Sequence, residues 1–138
     1  MFFLVYVSTG TWQFSRDDLG HLLATSRENN FRAGITGLLL YKDGNFMQLL
    51  EGEEGAVHAL YHKIGLDPRN KGVLPLLQGF VDERQFPDWS MGFRDLNSPE
   101  IHATPGYNEF LNTPLTGREF SGDPSRAQTL LLTFKRTM

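Results

Sequence analysis

Gln48 is a polar side chain in a stretch that is otherwise predicted to form a buried strand. Residues 46–50 have the sequence Phe-Met-Gln-Leu-Leu, so apolar side chains surround the amide on both faces of the strand. The amide carries two donor hydrogens and an acceptor oxygen, and burying such a group without partners costs about 1 to 3 kcal/mol. Neighbouring backbone satisfies most buried glutamines, and that is the structural alternative for Gln48. Other polar residues of the chain favour a binding role.

These further residues lie at intervals on either side of the Gln48 strand. Tyr6 lies within an apolar first strand, and the pair Asn29-Asn30 precedes Gly-Ile-Thr-Gly. An asparagine pair in this place is also typical of a helix C-cap. Trp89 and Met91 are two residues apart in a later strand, so they face the same side, where they could equally be ordinary core residues. Each residue alone has a structural explanation, and the interpretation depends on their combination.

The combination resembles the BLUF family, sensors of blue light that use a flavin. The matching motifs are the tyrosine of the first strand, Asn-Asn before Gly-Ile-Thr-Gly, the glutamine of Phe-Met-Gln-Leu-Leu-Glu-Gly and the Trp-Ser-Met segment, in the family's order and spacing over residues 2–95. The resemblance implies a sensor of the short, stand-alone type with FAD bound non-covalently between two helices. It also implies that Tyr6 is the electron and proton donor, and that Gln48 bridges the flavin edge and the Tyr6 hydroxyl.

The same resemblance implies the remaining contacts with the flavin. Asn30 would hydrogen-bond the carbonyl and N–H edge of the ring, with Asn29 beside it, and Ile64 would also contact the cofactor. Asp67 and Arg69 would meet the ribityl and phosphate groups. Because the chain has no G-x-G-x-x-G fingerprint for binding phosphates, FMN or riboflavin could replace FAD.

The function that the resemblance implies is that of a blue-light photoreceptor. Electron and proton transfer from Tyr6 would rearrange the hydrogen bonds of Gln48 by rotation or tautomerism of its amide. Trp89 and Met91 would compete for the place beside Gln48, with Met91 as the more constant neighbour. Their strand would pass the change to C-terminal helices and to an unidentified downstream protein. We expect a homo-oligomer without enzymatic activity of its own.

Two other functions remain open at the level of sequence. A flavin-binding enzyme would need an acid or base near the ring, and the pattern places no histidine or carboxylate near Tyr6, Asn30 or Gln48. A ligand-free interaction module of the same fold would leave the buried Gln48 and the asparagine pair unexplained. The visible spectrum in darkness and after blue light distinguishes the three functions.

Composition narrows the class of protein. The 138 residues suit one domain with an extension, and the net charge of −3 argues against a nucleic-acid-binding surface. The absence of cysteine excludes disulfides, Cys-based metal sites and cysteinyl flavin adducts. His58 and His62 have the spacing of a metal pair but lie off the apolar face of their helix, so no metal is expected. No apolar stretch approaches the roughly 20 residues of a membrane span, and we expect the protein in the cytoplasm.

The elements that must position these residues follow from hydrophobic periodicity. Alternation predicts a strand over residues 2–8, and Ser15 with Asp18 predicts the capping box of a helix that ends near Asn29. The pair Asp43-Gly44 predicts a hairpin between strands 35–41 and 46–51. A helix over residues 55–66 and strands over 73–81 and 89–93 complete the order βαββαββ. This order predicts an α/β (α+β) ferredoxin-like sandwich, with two helices on one face of a five-stranded mixed sheet.

A change in composition after Asn97 predicts a second unit. Serine, proline, glycine and asparagine become frequent there, and helices are predicted over residues 107–111 and 125–135. We therefore expect a flavin-binding domain over residues 1–96 and a C-terminal helical extension over residues 97–138. The extension would pack on the face of the sheet opposite the two helices.

Overall fold

Strand and helix periodicities alternate along the chain, and the computed structural model places an element at each of them. It describes residues 1–11, 14–87, 91–96, 115–116, 120 and 122–135. The strands are β1 Phe2–Gly10, β2 Thr36–Lys42, β3 Asn45–Gly52, β4 Asn70–Phe80 and β5 Gly92–Asp95. The helices are α1 Arg16–Ala33, α2 Glu54–Leu66 and α3 Ser125–Lys135. The predicted order βαββαββ and the predicted helix 125–135 are thus confirmed.

The five strands form one sheet in the order β4-β1-β3-β2-β5. The pairs β1–β4, β1–β3 and β2–β3 are antiparallel, whereas β2 and β5 run parallel. This mixed sheet confirms the predicted α+β class. Strand β3 lies at its centre, so a side chain on β3 has neighbours from two strands.

The two faces of the sheet carry separate hydrophobic cores. Leu4 and Tyr6 of β1 pack with buried residues of α1 and α2 on one face, which we call the cleft face. Val5 packs on the opposite face together with Ala127 and Leu131 of α3, and we call this the α3 face. Because strand side chains alternate between faces, β1 contributes to both cores.

Helix α1 is longer than the sequence predicts. It begins with the expected capping box, in which the Asp18 N–H donates to Ser15 Oγ at 3.1 Å and the Asp18 carboxylate accepts from the Ser15 N–H at 2.9 Å. The predicted end near Asn29 is wrong, because the helix continues to Ala33 and stops at Gly34, whose φ is 70°. Glycine adopts this left-handed conformation without steric cost, so the helix ends there. The asparagine pair therefore lies within the last turns of α1 and is not a C-cap.

The hairpin between β2 and β3 is confirmed. Asp43 and Gly44 both have positive φ, 50° and 83°, and the strands pair up to Lys42 opposite Asn45. A two-residue loop with positive φ at both positions matches the twist of the flanking strands. The turn fixes the register that places Leu39 opposite Gln48.

Several strand boundaries differ from the sequence prediction, and two of them bear on the site. Strand β4 begins at Asn70 rather than at residue 73, because its polar start pairs with the end of β1, with Asn70 opposite Gly10. Strand β5 begins at Gly92, so Met91 precedes this strand and does not lie on it. Trp89 and the predicted helix 107–111 lie outside the described residues. Within the described ranges, no helix combines the length and the apolar character needed to cross a bilayer.

Candidate functional site

A cleft of about 230 Å³ opens between α1 and α2 on the cleft face of the sheet. The sheet, both helices and the turn after α2 line this cleft. The lining residues are Tyr6, Leu39, Phe46, Gln48 and Asn70 of the sheet, Leu22, Thr25, Ser26, Asn29 and Asn30 of α1, Leu60, Lys63 and Ile64 of α2, and Asp67 and Arg69 of the turn. The structure thus brings together at one cleft every residue that the sequence suggests for cofactor binding.

Tyr6 and Gln48 meet because β1 and β3 pair with these two residues directly opposite each other. The Tyr6 Oη donates a hydrogen bond to Gln48 Oε1. Both side chains are buried, with exposed fractions of 3% and 6%. A side-chain hydrogen bond in such poorly solvated surroundings is stronger than in water, so the amide oxygen has a defined partner.

Met91 contacts the other end of the same amide. Gln48 Nε2 donates to Met91 Sδ at 3.1 Å, and the Met91 side chain is buried. Arg27 of α1 fixes the Met91 backbone, because its Nε donates to the Met91 carbonyl at 2.9 Å. The amide of Gln48 is therefore bracketed by a phenol on one side and a thioether on the other. Trp89, the expected competitor for this place, lies outside the described residues.

The environment of Tyr6 keeps its phenol protonated. Burial raises the pKa of Tyr6 far above its ordinary value, and the nearby Tyr61 and the negative charge of Asp67 raise it further. Burial has this effect because it disfavours the charged phenolate. Tyr6 is therefore a neutral hydrogen-bond donor to Gln48 throughout the physiological range of pH.

The asparagine pair lies on the helix side of the cleft. Asn30 is buried, with 2% of its surface exposed, whereas Asn29 is exposed. Both lie in the last turns of α1, and Ile64 of α2 lines the cleft as well. The cleft therefore has amides on its α1 and sheet sides and aliphatic carbon on its α2 side.

Asp67 and Arg69 form an ion pair at the cleft. The Arg69 Nε donates to Asp67 Oδ1 at 3.0 Å, and Nη2 lies 2.6 Å from Oδ2. The side-chain hydrogen bond from Arg69 lowers the pKa of Asp67, and the same bond raises the pKa of Arg69. Arg69, expected from the sequence as a phosphate partner, is thus already paired with a carboxylate.

Several lining residues are missing from the sequence prediction. Among the missed residues, Leu22 and Ser26 precede the predicted Asn29 at the spacing of a single helix face, and Leu60 precedes the predicted Ile64 by one turn of α2. Extending the helical periodicity backwards from the asparagine pair and from Ile64 would have found them. Lys63 has no such signal, since an exposed lysine in the last turn of a helix is ordinary.

The lining of the cleft fits a planar heteroaromatic ring. Leucine and isoleucine side chains from the sheet and both helices provide apolar walls, and the amides of Asn29, Asn30 and Gln48 provide donors and acceptors for a polar ring edge. An isoalloxazine has this combination of a flat apolar body and a hydrogen-bonding edge. Fold and site together define an α+β domain with a ring-binding cleft beside a buried tyrosine and glutamine.

The chain belongs to the BLUF family, described as sensors of blue-light using FAD, whose model matches residues 1–92. The domain is therefore a flavin photoreceptor, with FAD as the chromophore of the family. The motifs in Tyr6, Asn30 and Gln48 predicted this family correctly.

Two curated relatives and one solved structure agree with this assignment. Photoactivated adenylate cyclase subunit beta of Euglena longa is 39% identical over 89 residues, which cover 64% of this chain and 10% of that protein. The blue light- and temperature-regulated antirepressor BluF of Escherichia coli (strain K12) is 32% identical over 90 residues, 62% of this chain and 22% of that protein. The dark-state structure of the BLUF protein BlrB superposes with a TM-score of 0.71 at 32% identity, covering 92% of this chain and 93% of that one. The chain thus spans only a small part of these curated relatives and nearly all of BlrB.

Proposed function

We propose that blue light acts on this chain by rearranging the amide of Gln48 between Tyr6 and Met91. The observation that carries the proposal is the continuous series of hydrogen bonds from Tyr6 Oη to Gln48 Oε1 and from Gln48 Nε2 to Met91 Sδ. An amide held at both ends by unlike partners has two distinguishable orientations. This is the requirement for a switch that changes hydrogen bonds without making a product.

The cleft residues hold the flavin in this proposal. Asn29, Asn30 and Gln48 would bond the polar ring edge, and Ile64 would pack on the ring. When bound, the flavin supplies absorption of blue light and an excited state that can take an electron from a nearby phenol. Arg69 would meet the phosphate end, but its pairing with Asp67 weakens that contact. A weak hold on the phosphates supports the expectation that FMN or riboflavin can replace FAD.

Tyr6 is the donor of the electron and the proton. Burial raises the pKa of Tyr6, so its phenol starts in the neutral, protonated form. The electron therefore leaves either together with the Oη proton or shortly before that proton leaves. That proton points at Gln48 Oε1. Return of the electron and the proton restores the phenol, so the lasting change is confined to Gln48.

Exchange of the amide ends would reverse the hydrogen bond to Tyr6 and remove the one to Met91. In the rotated amide, Nε2 would donate to Tyr6 Oη, while Oε1 would face Met91 Sδ. A thioether has no hydrogen to donate, so the contact with Met91 would be lost. In the imidic tautomer the oxygen would likewise become a donor toward Tyr6 Oη, while the nitrogen would keep one hydrogen toward Met91 Sδ. Displacement of Met91, with Trp89 as its competitor, is the proposed first step of signal output.

The output of the chain is proposed to be binding and not catalysis. Asp67 is the one carboxylate among the described residues that line the cleft, and the hydrogen bond from Arg69 lowers its pKa, so it is a weak base and, being ionised, has no proton to donate. The names of the relatives join the matching segment to unlike outputs, an adenylate cyclase and an antirepressor. For this chain we propose an unidentified partner protein, a homo-oligomer and a location in the cytoplasm.

Absorption spectroscopy of the purified protein tests the proposed function. In darkness we expect the spectrum of oxidised flavin, and after blue light a small reversible red shift of that spectrum. Denaturation should release the flavin from the chain. Gln48→Leu and Tyr6→Phe should retain flavin and lose the shift, whereas Asn30→Ala should weaken flavin binding. Gln78→Leu, the same change at an exposed residue of β4, is the matched control and should respond normally. A normal red shift in Gln48→Leu would contradict the proposal.

A further inference from the structure

A fully buried carboxylate lies on the opposite face of β3 from the amide of Gln48. Glu51 is three residues further along β3, so its side chain points to the α3 face, and 0% of its surface is exposed. Its Oε2 accepts from the Gln85 N–H at 2.9 Å and its Oε1 from the Phe86 N–H at 2.5 Å. A buried charge is costly unless it is paired and hydrogen-bonded. Glu51 therefore holds the connection between β4 and β5 firmly against β3.

Arg84 compensates the charge of Glu51 through a hydroxyl group. The Thr36 Oγ1 donates to Glu51 Oε1 at 3.2 Å and accepts from Arg84 Nη1 at 2.8 Å. The guanidinium also donates to the carbonyl oxygens of Gly34, at 2.7 Å, and of Glu51, at 3.2 Å. Residues 84–86 are thus hydrogen-bonded to the end of α1, the start of β2 and the end of β3.

The same three residues are the place where this connection meets α3. Gln85 Oε1 accepts a hydrogen bond from Gln128 Nε2 of α3 at 2.6 Å. Phe86 is fully buried in the core that includes Ala127 and Leu131 of α3. Glu51 therefore bonds the backbone of exactly those two residues that contact α3 by hydrogen bond and by packing.

The other end of the connection contacts the switch. Met91 follows Phe86 by five positions in the chain, and its Sδ accepts from Gln48 Nε2. Met91 belongs to the core of the cleft face, whereas Phe86 belongs to the core of the α3 face. One short stretch of chain thus links the amide on one face of the sheet to the helix on the other.

We propose that Glu51 is a positioning residue that couples Gln48 to α3. By fixing Gln85 and Phe86 to β3, the strand that carries Gln48, it makes the Gln85–Gln128 hydrogen bond respond to a rearrangement at Gln48. This inference rests on the proposed function, because it needs a rearrangement at Gln48 to transmit. It adds a route through side chains to the expected route along β5.

A spin label on α3 tests the coupling. The chain has no cysteine, so Thr129→Cys, at an exposed position of α3, gives a single labelling site in the flavin-loaded full chain. The label spectrum is recorded in darkness and under blue light, with the flavin red shift measured on the same sample. Two variants break the route: Glu51→Gln places an amide group against a backbone N–H, and Gln128→Leu leaves Gln85 without a donor or an acceptor at position 128. Gln128→Lys is the matched control, since it retains a donor for Gln85 Oε1.

The expected results separate this inference from the proposed function. The labelled Thr129→Cys protein should show a light-induced change of the label. In this protein, Glu51→Gln and Gln128→Leu should keep the red shift while reducing that change at least about fivefold, the lower limit of typical coupling. Gln128→Lys should retain most of the change. An unreduced change in Gln128→Leu would overturn the coupling, as would an unresponsive label beside a normal red shift in the labelled protein without further substitution. If Glu51→Gln does not fold, the comparison of Gln128→Leu with Gln128→Lys decides. A missing red shift in the labelled protein without further substitution would overturn the proposed function as well.

Discussion

The buried polar side chains of Tyr6, Gln48 and Glu51 all find their hydrogen-bond partners on other segments of the chain. They differ in how far the sequence indicates their burial. A glutamine among apolar residues is conspicuous, and the tyrosine joins it through a family resemblance. A glutamate at the end of a strand gives no such signal, because charged residues at strand ends are ordinarily exposed. Its burial depends on Gln85 and Phe86, which follow a later strand and fold over it. The pairing of Asp67 with Arg69 could not be predicted from the sequence either, since it depends on the turn after α2.

The raised pKa of Tyr6 predicts a specific dependence of stability on pH. As pH rises, the unfolded chain releases this phenolic proton near the ordinary pKa of tyrosine, while the folded chain retains it. The free energy of unfolding should therefore be insensitive to Tyr6 below about pH 10 and decrease above it. Chemical denaturation over this range measures the slope. Tyr6→Phe should flatten this slope. Only the contribution of Tyr61 should then remain, since burial raises the pKa of Tyr61 as well. An equally steep slope in Tyr6→Phe would contradict the assignment.

At the scale of elements, helix and strand types followed from periodicity, and several boundaries did not. The end of α1 depends on Gly34, where the chain can adopt positive φ, and the helix continues to that glycine past the polar asparagine pair. The polar start of β4 depends on backbone pairing with β1, and hydrophobic alternation does not report such pairing. Met91 lies before β5 because the parallel pairing with β2 begins at Gly92. Long-range pairing therefore set the boundaries that local patterns could not.

Gly37 and Gly20 predict opposite effects of the same substitution. A Cβ at Gly37 would lie 1.9 Å from the Leu49 carbonyl oxygen, so Gly37→Ala must displace β2 from β3 and should destabilise by about 1 to 3 kcal/mol or more. Gly20 lies within α1 with nothing within 4 Å of a Cβ, so Gly20→Ala should stabilise by about 0.5 to 1 kcal/mol. Thermal unfolding of both variants gives the comparison. Equal effects would show that the close approach of β2 and β3 at Gly37 is wrong.

At the scale of the whole molecule, the sheet separates the cleft from α3. The cleft and the Tyr6–Gln48 pair occupy one face, and α3 packs on the other. The amphipathic pattern of residues 125–135 predicted α3, but not which strands it covers, because that depends on the three-dimensional order of the sheet. The division of the chain after residue 96 remains a prediction.

Leu131 of α3 tests the separation of the two faces. Its side chain is fully buried, so Leu131→Ala should lower the free energy of unfolding by about 2 to 5 kcal/mol. The absorption spectrum of bound flavin in darkness should be unchanged, because the cleft lies on the other face. Thr129→Ala, an exposed position on the same helix, should change stability by less than about 0.5 kcal/mol. Loss of flavin from Leu131→Ala well below its unfolding temperature would show that the faces are not independent.

Infrared difference spectroscopy observes directly whether light changes the hydrogen bonds of the Gln48 amide. The protein is prepared with glutamine labelled with ¹³C at the side-chain carbonyl, and spectra after blue light are compared with spectra in darkness. We predict a shifted band pair of the labelled carbonyl that appears and decays together with the flavin red shift, persists in Gln128→Leu and vanishes in Gln48→Leu. A red shift without any labelled band, or the same band pair in Gln48→Leu, would contradict the account.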